Sequence, residues 1–341
     1  MPKMDIKKLV KPNIRSLRAY QAEEIPCRVK LDANESPYGL KVLRTVKTNK
    51  YPDPEAKALR RLVAKELKVK TENILHGNGS DEIIYYLITT FGGPVLYPVP
   101  TFSMYGIISQ ALGEKKSGIP LDEKFDLDTD GFSEAIKKKK PKLIFLSSPN
   151  NPTGNSFSSG RISEIIEQSK GLVVVDEAYQ PFSDRRSFLP LLKKYKNLVI
   201  LRTLSKVGFA GLRVGFMIAD TDIIDEVNKV RLPFNLNSLS QQVALNALED
   251  KKRMKSYISA VKSERKGLFR EMEKTAGITP YPSDANFILF RVRDAGKIYQ
   301  RLLQRGILIR NMTGSMKNCL RVTVGTMKEN TAFLKTLKQN L

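Results

Sequence analysis

Along the middle of the chain, short runs of Val, Ile and Leu alternate with stretches whose apolar residues recur at helical spacing. Residues 142–146, 172–176 and 198–201 are almost wholly apolar, and residues 95–97 form a shorter run of the same kind. Strands of this type are buried on both faces, unlike strands that alternate apolar and polar positions. Between them, residues 101–112, 129–139 and 162–169 read as helices. Upstream, Ala58, Leu59, Leu62, Val63 and Leu67 share one face of a helix that follows Pro54, a residue suited to the first helical position. Residues 83–91 read as a further helix. This alternation predicts an α/β fold of three layers, with a mainly parallel sheet covered by helices on both sides. Such sheets collect ligands at the carboxyl ends of their strands.

From about residue 222 the pattern changes. Charged helices over residues 241–248 and 255–275 precede short apolar pieces at 286–290, 307–309 and 320–324, with helices over 295–305 and 329–339. This predicts a smaller α+β domain over residues 236–341, behind a large domain over residues 31–235. Residues 1–30 are polar and basic and read as an arm, with a short helix or extended stretch over 13–20. Residues 31–39 are rich in turn formers and read as a loop.

Composition narrows the function. The chain has 341 residues, 41% hydrophobic and 27% charged, which is ordinary for a soluble globular protein. Its net charge of +23 raises nucleic-acid binding, but the Lys and Arg are spread along the whole length. The dense run Lys137–Lys140 falls at a helix end, where cations suit the dipole. Anionic small molecules are the better-supported partners, with neither nucleic acid nor membrane. The two cysteines, Cys27 and Cys319, have no metal or redox spacing, and the first residues lack the apolar core of a signal peptide; a cytoplasmic protein without a metal site is expected. The single histidine, His76, leaves a Ser-His-Asp triad poorly supported and reads as structural.

The candidate chemistry lies at strand ends. Lys206 follows the strand at 198–201 among Thr203, Ser205, Gly208 and Gly211, with Arg213 shortly after. Asp176 closes the strand at 172–176, with Tyr179 one loop on. Asn151 lies in Ser148-Pro-Asn-Asn-Pro-Thr-Gly154, after the strand at 142–146. Each signal alone is weak: a lysine at a strand end is ordinarily solvated, and a terminal Asp can be an N-cap. Together they suit pyridoxal 5'-phosphate. Asp176 would hold the pyridine nitrogen protonated, which makes the ring an electron sink. Tyr179 and Asn151 would bond the phenolic oxygen, and Lys206 would attach the cofactor as an imine and then move a proton. Gly77-Asn-Gly-Ser-Asp-Glu82 opens a helix. Taken alone it reads first as a tight turn capped by Ser80 or Asp81; in this company the N–H groups of Gly79, Ser80 and Asp81, with Thr203 and Arg213, would hold a phosphate. Phe102 is equally a ring-stacking residue or a core aromatic.

These stretches, with Leu31-Asp-Ala-Asn-Glu-Ser-Pro-Tyr-Gly39, Tyr51-Pro-Asp-Pro54, Leu201-Arg-Thr-Leu-Ser-Lys206 and Leu320-Arg-Val-Thr-Val-Gly325, resemble those of fold-type I pyridoxal-phosphate aminotransferases. The contexts of Asn34, Lys206 and Arg321 are similar to the histidinol-phosphate aminotransferase family. The resemblance runs from residue 13 to residue 325. It implies a homodimer in which Tyr51 reaches the neighbouring subunit's cofactor phosphate, and it implies that Arg321 holds the substrate's anionic group. Tyr20, Asn34 and Arg310 resemble residues near the substrate pocket. The implied reaction moves an amino group between histidinol phosphate and 2-oxoglutarate, giving imidazole-acetol phosphate and glutamate in histidine biosynthesis. One departure stands out: the gap from Lys206 to Arg213 is a residue or two shorter than is common in this fold. A threonine-phosphate decarboxylase or aromatic aminotransferase on the same fold stays open, as does a non-enzymatic basic binding protein, against which the intact set of Asn151, Asp176, Tyr179 and Lys206 argues.

Overall fold

A computed structural model describes residues 27–32, 34 and 51–341. Tyr20, most of the expected arm and most of the 31–39 loop lie outside these. Two sheets organise the chain. The larger has seven strands: β2 (Ile74–Asn78), β3 (Val95–Val99), β4 (Lys116–Pro120), β5 (Leu143–Ser147), β6 (Leu172–Asp176), β7 (Leu198–Thr203) and β8 (Val214–Ala219). Their spatial order is β2-β8-β7-β6-β5-β3-β4. The pairs from β7 through β4 are parallel, while β8 is antiparallel to both its neighbours. The central strands are as buried as their composition demands: every residue of β5 and all of β6 but Leu172 are buried. Each large apolar side chain so enclosed contributes roughly 1.5–3 kcal/mol.

Helices cover both faces, in keeping with the expected three layers. The helix Thr129–Lys139 has the bounds its sequence predicts, because both ends are locally encoded: Asp128 accepts from the Gly131 N–H, and Lys137, Lys138 and Lys139 fill the last turn. The helix Ser80–Phe91 begins three residues earlier than its apolar run. It buries Ile83, Ile84, Leu87 and Ile88, and its amino terminus lies at the edge of the sheet. Among the described residues, no helix is long and apolar enough to cross a membrane, and Cys27 and Cys319 are both free.

The smaller sheet adds β9 (Thr279–Pro280), β10 (Phe287–Arg291), β11 (Ile307–Asn311) and β12 (Cys319–Thr323) to β1 (Val29–Leu31), in the order β1-β11-β12-β10-β9. Here the structure departs from the sequence-based expectation. Residues 29–31, expected in the arm and the loop after it, form an edge strand parallel to β11, so this early segment belongs to the smaller sheet. Strands β4 and β8 were not expected either. Strand β4 (Lys-Ser-Gly-Ile-Pro) is a polar edge strand with one buried residue, and β8 follows β7 so closely that only a reversed strand fits the gap.

Candidate active site

The carboxyl ends of β2, β5, β6 and β7 share one rim, and the reversal of β8 adds its amino end, where Arg213 sits. Pairing fixes the register: Ser147 of β5 lies beside Asp176 of β6, and Thr203 of β7 beside Gly215 of β8, which faces Gly77 of β2. Gly215 is required by close approach. A Cβ there would lie 2.6 Å from the backbone of Gly79 and Ser80, so only glycine lets the Ser80–Phe91 helix end rest on β8.

Ser80, Asp81, Phe102, Asn151, Asp176, Tyr179, Thr203, Lys206 and Arg213 line one cleft of about 460 Å³, together with Ser147, Ala178 and Ser205. A larger cavity of about 1080 Å³ borders the other side of the same loops, lined by Ser148, Ser156, Glu177, Arg185 and Arg186 among others. Volume does not choose between them. The smaller cleft holds the Lys206 amine and a carboxylate to which, among the described residues, no cation is bonded.

Asp176 is 3% exposed. Its Oδ1 accepts from the Ala178 N–H at 3.0 Å and its Oδ2 from the Tyr105 hydroxyl at 2.8 Å. Burial pushes its carboxyl up to about 6, with Asp81 adding to the rise and Tyr105, Ala178 and Lys206 opposing it. Tyr179 is buried; its hydroxyl accepts from Asn34 Nδ2 at 3.2 Å. Lys206 Nζ lies 5.7 Å from the centroid of the Tyr179 ring and makes no hydrogen bond or ion pair among the described residues.

The short stretch from Lys206 to Arg213 is a tight irregular turn. Gly208 takes φ +105°, as the spacing demands, whereas Gly211 needs no such angle; Arg213 itself takes φ +54°. The turn returns the Arg213 guanidinium to the cleft, with Nη1 3.3 Å from Ser205 Oγ and Nη2 3.2 Å from Asp81 Oδ2. Thr203 Oγ1 lies 2.9 Å from Ser205 Oγ and 3.1 Å from the Val214 carbonyl, so it braces this turn. The Ser80–Phe91 helix starts at Gly79 without a side-chain cap.

In the Asn-Asn pair the two side chains divide the work. Asn150 is fully buried and ties its loop to Pro100, Thr101 and Thr153. Asn151 faces the cleft, where its Oδ1 accepts from Arg321 Nη1. Arg321 also donates to the Asp32 carbonyl at 3.0 Å and lies over the Phe287 ring at 5.0 Å. It thus stands one contact behind the cleft rather than lining it. Asn34, at φ +55°, bonds Thr323 as well as Tyr179 and joins the N-terminal segment to β12. Phe102 packs edge-on to Tyr105 at 5.5 Å.

Two expected residues lie elsewhere. Arg310 is exposed and sits opposite Arg321 across β11 and β12. Tyr51 is 82% exposed and stacks on Phe234 at 4.7 Å, and it does not line the cleft. His76 is structural as expected: burial and the nearby Arg231 hold it neutral, down to about 3. The sequence reading missed Tyr105, which meets Asp176 from 71 residues away, and gave no site role to Ser205, although Ser205 adjoins Lys206.

The sequence matches the model of the class I and II aminotransferases over residues 19–337. The chain belongs to that family. Its members depend on pyridoxal phosphate. A histidinol-phosphate aminotransferase of Aquifex aeolicus is 44% identical over 350 residues, covering 98% of each protein. The structure of the histidinol-phosphate aminotransferase from Clostridium acetobutylicum, 26% identical, superposes with a TM-score of 0.84 over 91% of this chain and 98% of that one. That from Sinorhizobium meliloti, solved in complex with pyridoxal-5'-phosphate, is 24% identical with a TM-score of 0.86, over 97% and 96%. The fold is that of these aminotransferases.

The cleft of this family member suits the cofactor in each of its parts. A buried carboxylate bonded only by neutral donors can take a protonated ring nitrogen. An amine without an ion pair can attach covalently. An uncapped helix start beside Arg213 and Ser205 can hold a phosphate.

Proposed function

We propose that the chain is a pyridoxal-phosphate-dependent aminotransferase that moves an amino group between L-histidinol phosphate and 2-oxoglutarate, giving imidazole-acetol phosphate and L-glutamate. The observation that carries the chemistry is the convergence on one cleft of the Lys206 amine, without an ion pair among the described residues, and the buried Asp176 carboxylate. The observation that carries the substrate is the near full-length similarity to histidinol-phosphate aminotransferases.

When bound, pyridoxal phosphate supplies an electron sink for negative charge developing at the substrate's α-carbon. Asp176 would hold the ring nitrogen protonated and so favour that sink. Tyr179 and Asn151 would donate to the phenolic oxygen, and Phe102 would flank the ring. The N–H groups of Gly79, Ser80 and Asp81 hold the phosphate with Ser80, Ser205 and Arg213; Thr203 braces the turn that carries Arg213. Lys206 would be the residue that holds the cofactor covalently, and its amine is the group in the cleft placed to serve as general base and acid for the substrate's α-proton. Arg321 receives the substrate's anionic group, for which its planar fork is suited, and Arg310 adds positive charge beside it.

The large part (residues 31–235) binds the cofactor and the smaller part (236–341) brings Arg321, with β1 crossing into the smaller sheet. Tyr51, Leu232, Phe234 and Leu239 are exposed apolar side chains that a second copy would cover, and Tyr51 would reach that copy's phosphate site. A cytoplasmic homodimer acting on small molecules is the resulting picture. The test is an amino-transfer assay with histidinol phosphate and 2-oxoglutarate, run beside threonine phosphate and phenylalanine. Fastest transfer from histidinol phosphate is expected. Carbon dioxide released from threonine phosphate without transfer would contradict the reading.

A further inference from the structure

The mechanism above uses Asp176 and leaves open what keeps so deeply buried a carboxylate fit to receive a cation. We propose that Tyr105 is a positioning residue for this carboxylate: its hydroxyl, donating to Oδ2, keeps Asp176 ionised and turned toward the place of the cofactor's ring nitrogen. The inference rests on the reading of Asp176 given under Proposed function.

Tyr105 lies in the helix Met104–Ala111 and is fully buried, on the apolar side of the cleft. Its ring stacks on Phe145 of β5 at 4.8 Å and 12°, and Phe102 closes it from the side. The ring can therefore move little, and its one polar atom is spent on Asp176 at 2.8 Å. The Ala178 N–H, at 3.0 Å, occupies the other oxygen. Two fixed donors, one to each oxygen, set the plane of the carboxylate and leave each oxygen further capacity to accept. A hydrogen bond to a charged group is also the interaction that offsets burial of that charge. The other charged and titratable groups that face Asp176 are Asp81 from the Ser80–Phe91 helix, which disfavours its ionisation, and Lys206 after β7, which favours it; the Tyr105 hydrogen bond also favours the ionised carboxylate, and burial pushes Tyr105 itself well above the usual phenol range, so it stays a donor. Ser147 of β5 and Tyr179 flank the Tyr105 hydroxyl.

Tyr105→Phe removes one oxygen and keeps the ring and its stack. The readout is the dissociation constant of the full-length apo-protein for pyridoxal phosphate, measured by equilibrium dialysis between pH 5.5 and 8.5, with Asp176→Asn as reference. The cofactor's own titrating groups are common to all three proteins and cancel in ratios. Without the Tyr105 hydrogen bond, Asp176 takes up its proton at higher pH. Tyr105→Phe should bind within about threefold of wild type at pH 8.5, about fivefold more weakly near pH 6 and about eightfold more weakly at pH 5.5, as expected when the carboxyl rises by about one unit from about 6. A purely packing role would weaken binding by one factor at every pH, and that result, or no change at all, would overturn the proposal. If Asp176→Asn instead binds like wild type across the range, the reading of Asp176 itself fails, whatever Tyr105 does.

Discussion

Asp176 and Glu177 are adjacent, both carry buried carboxylates, and they border different cavities. Glu177 is supplied in full by the chain. Arg202 Nη2 stands 2.7 Å from Oε2, the Phe188 N–H donates to Oε1 at 2.7 Å, and Ser187 Oγ lies 3.0 Å and 2.8 Å from the two oxygens. Asp176 receives two neutral donors and, among the described residues, no cation in contact. The two residues differ in what the fold leaves undone. A carboxylate paired by its own chain is a structural element, and one left in a dry site without a cation is waiting for one. On the proposed reading the ring nitrogen of pyridoxal phosphate would bring that cation, and this contrast is what favours the smaller cleft as the chemical one.

The comparison can be broken in steps. The largest effect is expected at the amine that Asp176 serves. Lys206→Ala should lower amino transfer by roughly a thousandfold or more, since it removes both covalent anchor and proton carrier, and the visible absorbance of the covalently held cofactor should vanish. A variant that keeps that absorbance would remove Lys206 from the mechanism.

Next comes the stability of the apo-protein. A carboxyl held at about 6 in the fold and near 3.8 when unfolded binds its proton more tightly when folded. Its destabilising contribution is therefore absent below about pH 4, grows as the pH rises through 6, and is complete above that, at about 3 kcal/mol. Asp176→Asn should raise the apo-protein's melting temperature at pH 7.5, and the gain should shrink toward pH 4. A lower melting temperature at pH 7.5 would mean that Asp176 is already paid for by the fold. Glu177→Gln should do the reverse, since it leaves the Arg202 guanidinium short of its anion. Arg202 is 21% exposed, so water softens the loss to roughly 1–3 kcal/mol in urea unfolding at pH 7.5. Equal stability would place Glu177 outside the structural frame. The smallest effect belongs to Arg310→Ala: exposed and beside Arg321, it should raise KM for the phosphorylated substrate only a few-fold with kcat unchanged.

What the sequence made legible follows from how locally each feature is encoded. Strands β5 and β6 announce themselves because the first four of their five residues are apolar, and the Thr129–Lys139 helix because its cap and final cations are written beside it. Lys206, Asp176, Tyr179 and Asn151 all end apolar strands or follow them directly, so their meeting at one rim follows from strand direction. Strand β8 escaped because its direction depends on its neighbours, although that reversal delivers Arg213. Strand β1 has three residues and makes sense only beside β11. Tyr105 reads as one more core aromatic until the fold sets it against Asp176, and Tyr51 stacks on Phe234 rather than lining the cleft. Contacts made across the fold leave no periodicity to read.

The most direct measurement sets Asp176→Asn and Glu177→Gln side by side in the transfer assay, at a temperature where both are folded and with cofactor saturating. The account predicts that Asp176→Asn loses about a hundredfold or more in kcat while Glu177→Gln stays within a few-fold of wild type. Comparable rates in the two variants would contradict it.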